Sequence, residues 1–390
     1  MPTVMISCGE ASGDLYAGAL GRELRRLQPD VRLVGFGGDH LQAAGADLVG
    51  HYRGLTVTGL VEALRVLPLA WRMQRALVAR ARAQRPDVLV VIDFPDFNFP
   101  LGRAIRALDV PVVYYICPQL WAWRSGRVHA LKELTAKALV IFPFEPAFFR
   151  AAGVPVEFVG HPLLDLITVT ADRRAVLTGA GLDPDAPTVA LLPGSRPNEV
   201  ERILPTLMDA TSAIRARVPR VQFLVARAPN LPDGLFTVRG AASLAPIATL
   251  TGRSDDVLSA SDVVVTASGT ATIQTAIHEK PMVIVYRVSP LTYHLGRRFV
   301  QTHTYGMVNL VAGEQVAPEL IQDAMTPDAV ATETVRLLTD PALADRTRAQ
   351  LRMVRSRLGE PGASTRAAER VLDVWRARDG ARLMNSGRVR

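Results

Sequence analysis

The chain has 390 residues, 48% hydrophobic and 21% charged, with a net charge of +8. That length suits two domains better than one core, and the composition excludes a disordered or collagen-like chain. Two cysteines, Cys8 and Cys117, without metal-ligand spacing exclude a disulfide scaffold and a zinc site. The positive balance admits phosphorylated small molecules or anionic lipid. Aromatic residues make up only 6% and no RNA-reading motif is present, so no nucleic-acid partner is expected. No apolar run is long enough to span a membrane, and the N-terminus lacks the basic region of a signal peptide, so a cytoplasmic location is expected.

The first element is an apolar strand at Val4 to Ser7, broken by Gly9-Glu10-Ala11-Ser12-Gly13-Asp14 and followed by a helix to Leu27. Glycines at a strand-to-helix turn let a ligand near the backbone, but this spacing is not the dinucleotide fingerprint. Glu10 would repel a pyrophosphate and suits a hydroxyl-rich sugar; a plain loop capped by Ser12 is the simpler alternative. After a strand at Val31 to Phe36 comes a basic amphipathic segment, Leu55 to Arg85. Leu60, Leu64, Leu67 and Trp71 share one side of it at helical spacing. Such a stripe faces either the protein's own core or a membrane interface.

Val88 to Ile92 has the pattern of a strand covered on both faces. It ends in Asp93-Phe94-Pro95-Asp96-Phe97-Asn98, two carboxylates and an amide where open α/β sheets bind ligands, hence candidates for general-base work. The strand Val110 to Ile116 leads into Trp121, Trp123, Arg124 and Arg127, which read either as core packing or as an anion site walled by aromatics. His161, alone in Gly160-His161-Pro162, reads as structural. Residues 166 to 187 read as a linker.

A second α/β set starts at Thr188. Its strand Val189 to Leu192 ends in Pro193-Gly194-Ser195-Arg196, with Arg196 placed to fork onto a phosphate. Farther on, the strand Val263 to Val265 leads through Ser268-Gly269-Thr270 into a helix carrying Gln274, then into a strand ending at Arg287. The helix start favours an anion, and Gln274 one turn on can bond a sugar hydroxyl. Leu291, Tyr293, Leu295 and Phe299 beside Arg297 and Arg298 form a second apolar and basic surface candidate. Helices from Pro327 onward close the chain.

Phosphate features in one half and acids in the other follow the logic of a nucleotide-sugar transferase. The motifs then resemble one family over nearly the whole chain, lipid-A-disaccharide synthase. They are Gly9 to Asp14, Ile92 to Asn98, Tyr114 to Arg124, Phe142 to Glu145, Phe158 to Leu163, Leu191 to Arg196, Ala267 to Thr270, Pro281 to Arg287 and Asn309-Leu310. The resemblance implies the α/β fold called GT-B: two Rossmann-like domains facing a cleft, with the last helices packing back on the N-terminal domain. The acceptor and lipid-binding domain would be residues 1–168 joined by about 345–390, and the UDP-sugar domain 185–344. The implied reaction is inverting transfer of 2,3-diacylglucosamine from UDP-2,3-diacylglucosamine to the 6-hydroxyl of 2,3-diacylglucosamine 1-phosphate (lipid X). The products would be the β-1,6 lipid A disaccharide 1-phosphate and UDP.

By this resemblance Asp96 is the base, with Asp93 its rival. Glu10 and Asn309 orient sugar or phosphate groups. Gly194, Ser195, Arg196, Ser268, Gly269, Thr270 and Arg287 hold the UDP phosphates, and Gln274 the ribose. Ser12, Asn98, Trp121, Trp123, Arg124, Leu60, Leu64, Leu67 and Trp71 form the acceptor and lipid face. No cofactor and no metal are expected, leaving-group charge being met by arginine and helix N-termini. A peripheral position on the cytoplasmic face of the inner membrane is expected, in contact with its surface lipids, with a homodimer left open. Members often carry Glu where this chain has Gln274 and Ser where it has Cys117, which bears on UDP affinity. The alternatives are another UDP-N-acetylglucosamine transferase, a UDP-sugar epimerase of the same fold, or a non-catalytic membrane-surface nucleotide-binding protein.

Overall fold

In a computed structural model the described residues are 1–55, 60–122, 125–236, 246–289 and 304–386, the side chains of 60–65 and 381–386 excepted. They divide into two compact units. The first holds Met1–Leu166 and the chain from Leu358 onward; the second lies between them.

Unit 1 is built on β1 (Thr3–Cys8), β2 (Arg32–Gly37), β3 (Asp47–His51), β4 (Val88–Ile92), β5 (Val112–Tyr115), β6 (Lys137–Val140) and β7 (Val156–Phe158). They form a parallel sheet in the order β3-β2-β1-β4-β5-β6-β7. Each residue of β4 is fully buried, as expected of a parallel strand with helices on both faces. The order reverses between β1 and β4, where Cys8 pairs with Ile92, so the loops after these strands lie side by side at the switch point. Close packing explains two glycines here. A Cβ on Gly35 would meet the Ile6 carbonyl oxygen at 1.9 Å, and one on Gly9 would meet the Phe94 ring at 2.0 Å. Gly9 thus serves packing within the protein, not the close approach of a ligand expected from its place in the turn.

Unit 2 repeats the plan with β8 (Thr188–Leu192), β9 (Gln222–Arg227), β10 (Ile247–Thr251), β11 (Val263–Ala267), β12 (Met282–Tyr286) and β13 (Glu319–Ile321). Their order is β10-β9-β8-β11-β12-β13, all parallel. Leu192 pairs with Thr266, so the loops after β8 and β11 are neighbours at this unit's switch point.

The chain returns to unit 1 at Leu358, later than the expected 345, because the helix Pro341–Arg357 packs against the helices Thr270–Ile277 and Met307–Ala312 of unit 2. The last helix, Ala363–Ser386, packs on Ala11–Leu27 through buried Ala363, Ala367, Ala368, Val371 and Leu372. Thr365 adds a hydrogen bond to Glu23 at 2.7 Å, and Arg378 donates to the carbonyls of Pro86 and Asp87.

Candidate active site

The loop after β4 is held in an unusual shape. Asp93 and Phe94 are non-glycine residues with φ of 41° and 49°, a left-handed pair that costs energy and must be held by its surroundings. Asn98 does part of the holding. It is fully buried, donates from Nδ2 to the carbonyls of Ile92 and Asp93, and accepts from the Ser7 hydroxyl at 2.8 Å. The Tyr114 hydroxyl also donates to the Asp93 carbonyl, at 2.9 Å. Asn98 therefore corrects the expectation that it faces the acceptor: its amide is used up inside the protein, and its effect is to fix the backbone that presents Asp93.

Asp96 lies in the first turn of the helix Pro95–Arg106, its side chain 67% exposed. Its Oδ1 accepts from Arg127 Nη1 at 2.7 Å. Across the switch point, Glu10 is the N-cap residue of the helix Ala11–Leu27, without a side-chain capping bond, and both Glu10 and Ser12 are partly exposed. Ser12 lies inside the helix, so it is not the cap of the simpler alternative. The acid that does structural work here is Asp14. It is buried and accepts from the backbone N–H groups of Gly38, His40 and Leu41 at 2.7, 2.9 and 3.1 Å, tying the first helix to the turn after β2.

Glu145 closes the motif Phe142 to Glu145, which sequence reasoning named without assigning this residue a role. This buried carboxylate accepts from the Ile141 and Phe142 N–H groups with Oε2 and from Trp121 Nε1 with Oε1, at 3.1, 2.9 and 3.3 Å. Burial pushes it up to about 7; the hydrogen bonds oppose that shift, and the negative charge of Asp93 adds to it. Trp121 stands edge-on to Phe144, which stacks on Phe142. Next comes His161, buried and held neutral, with burial lowering it to about 3. Its Nδ1 accepts from the Leu163 N–H, which fits the structural reading of this histidine. Trp123 and Arg124 lie outside the described residues.

In unit 2, Ser268 Oγ donates to the Tyr305 carbonyl at 2.8 Å. Gly269 has φ of 138°, and a Cβ built there would meet nothing within 4 Å. Thr270 is exposed. The helix Thr270–Ile277 thus begins at an open backbone turn, where N–H groups and the helix dipole favour an anion. The neighbouring loop differs. Glu199, the third residue of the helix Pro197–Arg217, reaches back so that Oε2 accepts from the Ser195 and Arg196 N–H groups, while Oε1 accepts from Arg196 Nη1 at 2.8 Å. The Ser195 and Arg196 N–H groups and one Arg196 Nη are therefore engaged by a carboxylate within the helix.

Two further expectations are corrected. Asn309 is buried and saturated: Nδ2 donates to Ala317 O and Glu319 Oε1, and Oδ1 accepts from the N–H groups of Val316 and Ala317. It anchors the approach to β13 instead of orienting substrate. Arg287 donates to Thr206 Oγ1 and to the carbonyls of Gln322 and Met325, so its guanidinium braces unit 2 internally. Gln274 donates from Nε2 to Asp255 Oδ1 at 2.8 Å and to Ser254 Oγ at 3.3 Å. His278 also bonds Asp255, at 2.9 Å. The chain does contain one literal D-x-D, Asp183-Pro184-Asp185, but it forms a linker turn. Asp183 accepts from the Asp185 N–H and from Arg220, and Asp185 pairs with Arg174.

The helix Leu60–Gln84 answers both readings of its stripe. Leu77 and Ala81 are buried, and Val66, Leu69, Ala70 and Met73 pack on the unit 1 core. Leu67 and Trp71, one turn apart, face out at 56% and 61% exposure, and Arg75 lies over the Trp71 ring at 3.9 Å. The side chains of Leu60 and Leu64 lie outside the described residues, as does the second apolar and basic surface around Arg297 and Arg298. Among the described residues no helix is long and apolar enough to cross a membrane.

A family model described as lipid-A-disaccharide synthetase matches residues 4–370. A lipid-A-disaccharide synthase of Geobacter sulfurreducens is 43% identical over 371 residues, covering 95% of this chain and 97% of that protein. Among solved structures, Acinetobacter baumannii MurG superposes with a TM-score of 0.56 at 14% identity over 96% of this chain and all of that one. A Neisseria meningitidis UDP-GlcNAc 2-epimerase bound to UDP-GlcNAc superposes with a TM-score of 0.64 at 11% identity, over 95% of this chain and 99% of that one. The structural likenesses establish the fold alone: two Rossmann-like units of the GT-B kind.

Proposed function

The chain belongs to the lipid-A-disaccharide synthase family, and from that premise we propose how its residues carry out the transfer. It is a GT-B glycosyltransferase of lipid A biosynthesis, the enzyme lipid-A-disaccharide synthase. The match over residues 4–370 favours this over the other transferases, the epimerases and a non-catalytic binder. The finer assignments rest on the geometry of each unit.

The donor is UDP-2,3-diacylglucosamine, held by unit 2. Its pyrophosphate sits at the open turn Ser268-Gly269-Thr270, where backbone N–H groups supply the positive potential. Arg196 joins it by exchanging Glu199 for phosphate, a partner whose oxygens its fork matches. Gln274 keeps its carbonyl oxygen for a ribose hydroxyl while Asp255 fixes its amide nitrogen. The acceptor is lipid X, held by unit 1. Asp96 takes the proton of the 6-hydroxyl as that oxygen bonds to the anomeric carbon; the carbon–oxygen bond to UDP breaks, and UDP leaves with the electron pair. One base suffices for an inverting displacement. Charge on the leaving diphosphate is met by the helix N-terminus and Arg196, with no metal ion called on. The exposed Leu67 and Trp71, with Arg75 beside them, rest against the anionic cytoplasmic face of the inner membrane.

The observation that carries the base assignment is the position of Asp96 in the first turn after the central strand β4, beside Arg127 and open to solvent. Asp96→Asn is expected to reduce kcat at least roughly a thousandfold and to leave UDP binding by calorimetry unchanged. Substantial turnover by Asp96→Asn would transfer the role to Asp93, whose own Asn variant would then be the inactive one.

A further inference from the structure

One face of the helix Pro95–Arg106 carries Asp96, Phe99, Pro100 and Arg103, since side chains three, four and seven residues apart share a side. With Arg127 and Ala130 they line a pocket of ≈ 160 Å³. Its lining holds two guanidinium groups against one carboxylate, and Arg127 spends one Nη on that carboxylate at 2.7 Å. Pro100 is also a wall of an adjoining groove of ≈ 430 Å³, whose other walls are apolar at Trp71, Val78, Leu101 and Ala104 and cationic at Arg75 and Arg82. Gln74 pins the two helices beside this groove by donating to the Phe97 carbonyl at 2.8 Å. A cationic pocket beside a groove that offers apolar walls together with two arginines matches an amphiphile with an anionic head.

We propose that Arg103 and Arg127 form the subsite for the anomeric phosphate of the acceptor, with an acyl chain in the adjoining groove. This rests on the acceptor reading given above and extends it to named cations. It also gives Arg127 two partners in sequence. Before the acceptor binds, Arg127 pairs with Asp96 and holds its Oδ1 at 2.7 Å. A phosphate carries more charge and more acceptor oxygens than a carboxylate, so it draws the guanidinium to itself. Asp96 Oδ1 is then released from Arg127 when the acceptor hydroxyl is in place. An acceptor without the phosphate leaves the Arg127–Asp96 pair intact.

The test compares lipid X with the same diacylglucosamine lacking its phosphate, in detergent, for the wild type, Arg103→Gln, Arg103→Lys and Arg127→Gln. Arg103 is exposed, so Arg103→Gln is expected to unfold like the wild type. With lipid X, Arg103→Gln should raise the acceptor KM roughly ten- to a hundredfold, with the donor KM unchanged and part of the loss recovered by Arg103→Lys. With the phosphate-free acceptor, wild type and Arg103→Gln should differ by less than about threefold, and Arg127→Gln should lose less than it does with lipid X. Equal losses on both acceptors, or none on either, would overturn the subsite. A wild type that uses both acceptors equally well would overturn the acceptor reading itself, and the subsite with it.

Discussion

Glu145 and His161 show how burial sets the chemistry of single residues. Glu145 is raised to about 7 by burial, so its contribution to stability is complete below the ordinary carboxylate range and is lost as pH rises through about 7. His161 is lowered to about 3, so its contribution is present above the ordinary imidazole value and is lost as pH falls toward about 3. Between about pH 5 and 6.5 the two slopes oppose each other. The wild type is therefore expected to show a shallow dependence there. Glu145→Gln removes one slope and keeps the other, so its stability relative to wild type should rise by on the order of 1 kcal/mol per pH unit from about pH 5 to 7. Denaturant titrations at several pH values read this directly, and parallel curves for the two proteins would contradict it. The positions of the candidate acids were legible because apolar strand runs end at them, and an α/β sheet presents side chains to ligand at strand ends. Asn98 and Asn309 were misread because a motif does not show which way an amide points: Asn98 bonds Ser7 and the backbone, and Asn309 bonds Glu319 and the backbone. Glu145 was named only as the end of a motif, and Glu199, at the third helix position of a capping box, was passed over because Arg196 stands where such a box usually has Ser or Thr.

At the scale of elements, the strands were readable as apolar runs, since a parallel strand buried on both faces has little choice of residue. Sheet order was not: it is the order that brings the loops after β1 and β4 together, and those after β8 and β11. The helix Leu60–Gln84 is the instructive case. Its periodicity predicts one apolar stripe, yet its apolar residues serve two faces, one packed on the core and one carrying Leu67 and Trp71 outward. Replacing both outward residues, Leu67→Ser with Trp71→Ser, is expected to leave thermal unfolding within about 0.5 kcal/mol of wild type, because exposed side chains contribute little to folding. The same variant should lose most of its sedimentation with vesicles containing anionic lipid. Undiminished vesicle binding would remove this face from the membrane assignment.

For the whole molecule, the two halves share a plan and divide the labour. Unit 2 offers an open helix start, and unit 1 offers carboxylates and a pocket lined by Arg103 and Arg127 beside a groove with apolar walls and two arginines. The later return of the chain, at Leu358 instead of 345, follows from Leu351 and Val354, which give the helix Pro341–Arg357 a buried face in unit 2. Composition alone cannot reveal which of two cores such a face joins. The assignment of reaction and substrates is tested most directly by UDP release from UDP-2,3-diacylglucosamine, in detergent with a chelator, with and without lipid X. Release that depends on lipid X and yields a disaccharide phosphate, undiminished by the chelator, is the expected result. Release only from UDP-N-acetylglucosamine to another acceptor would contradict the substrates, and loss that magnesium restores would contradict the metal-free neutralisation of the leaving group.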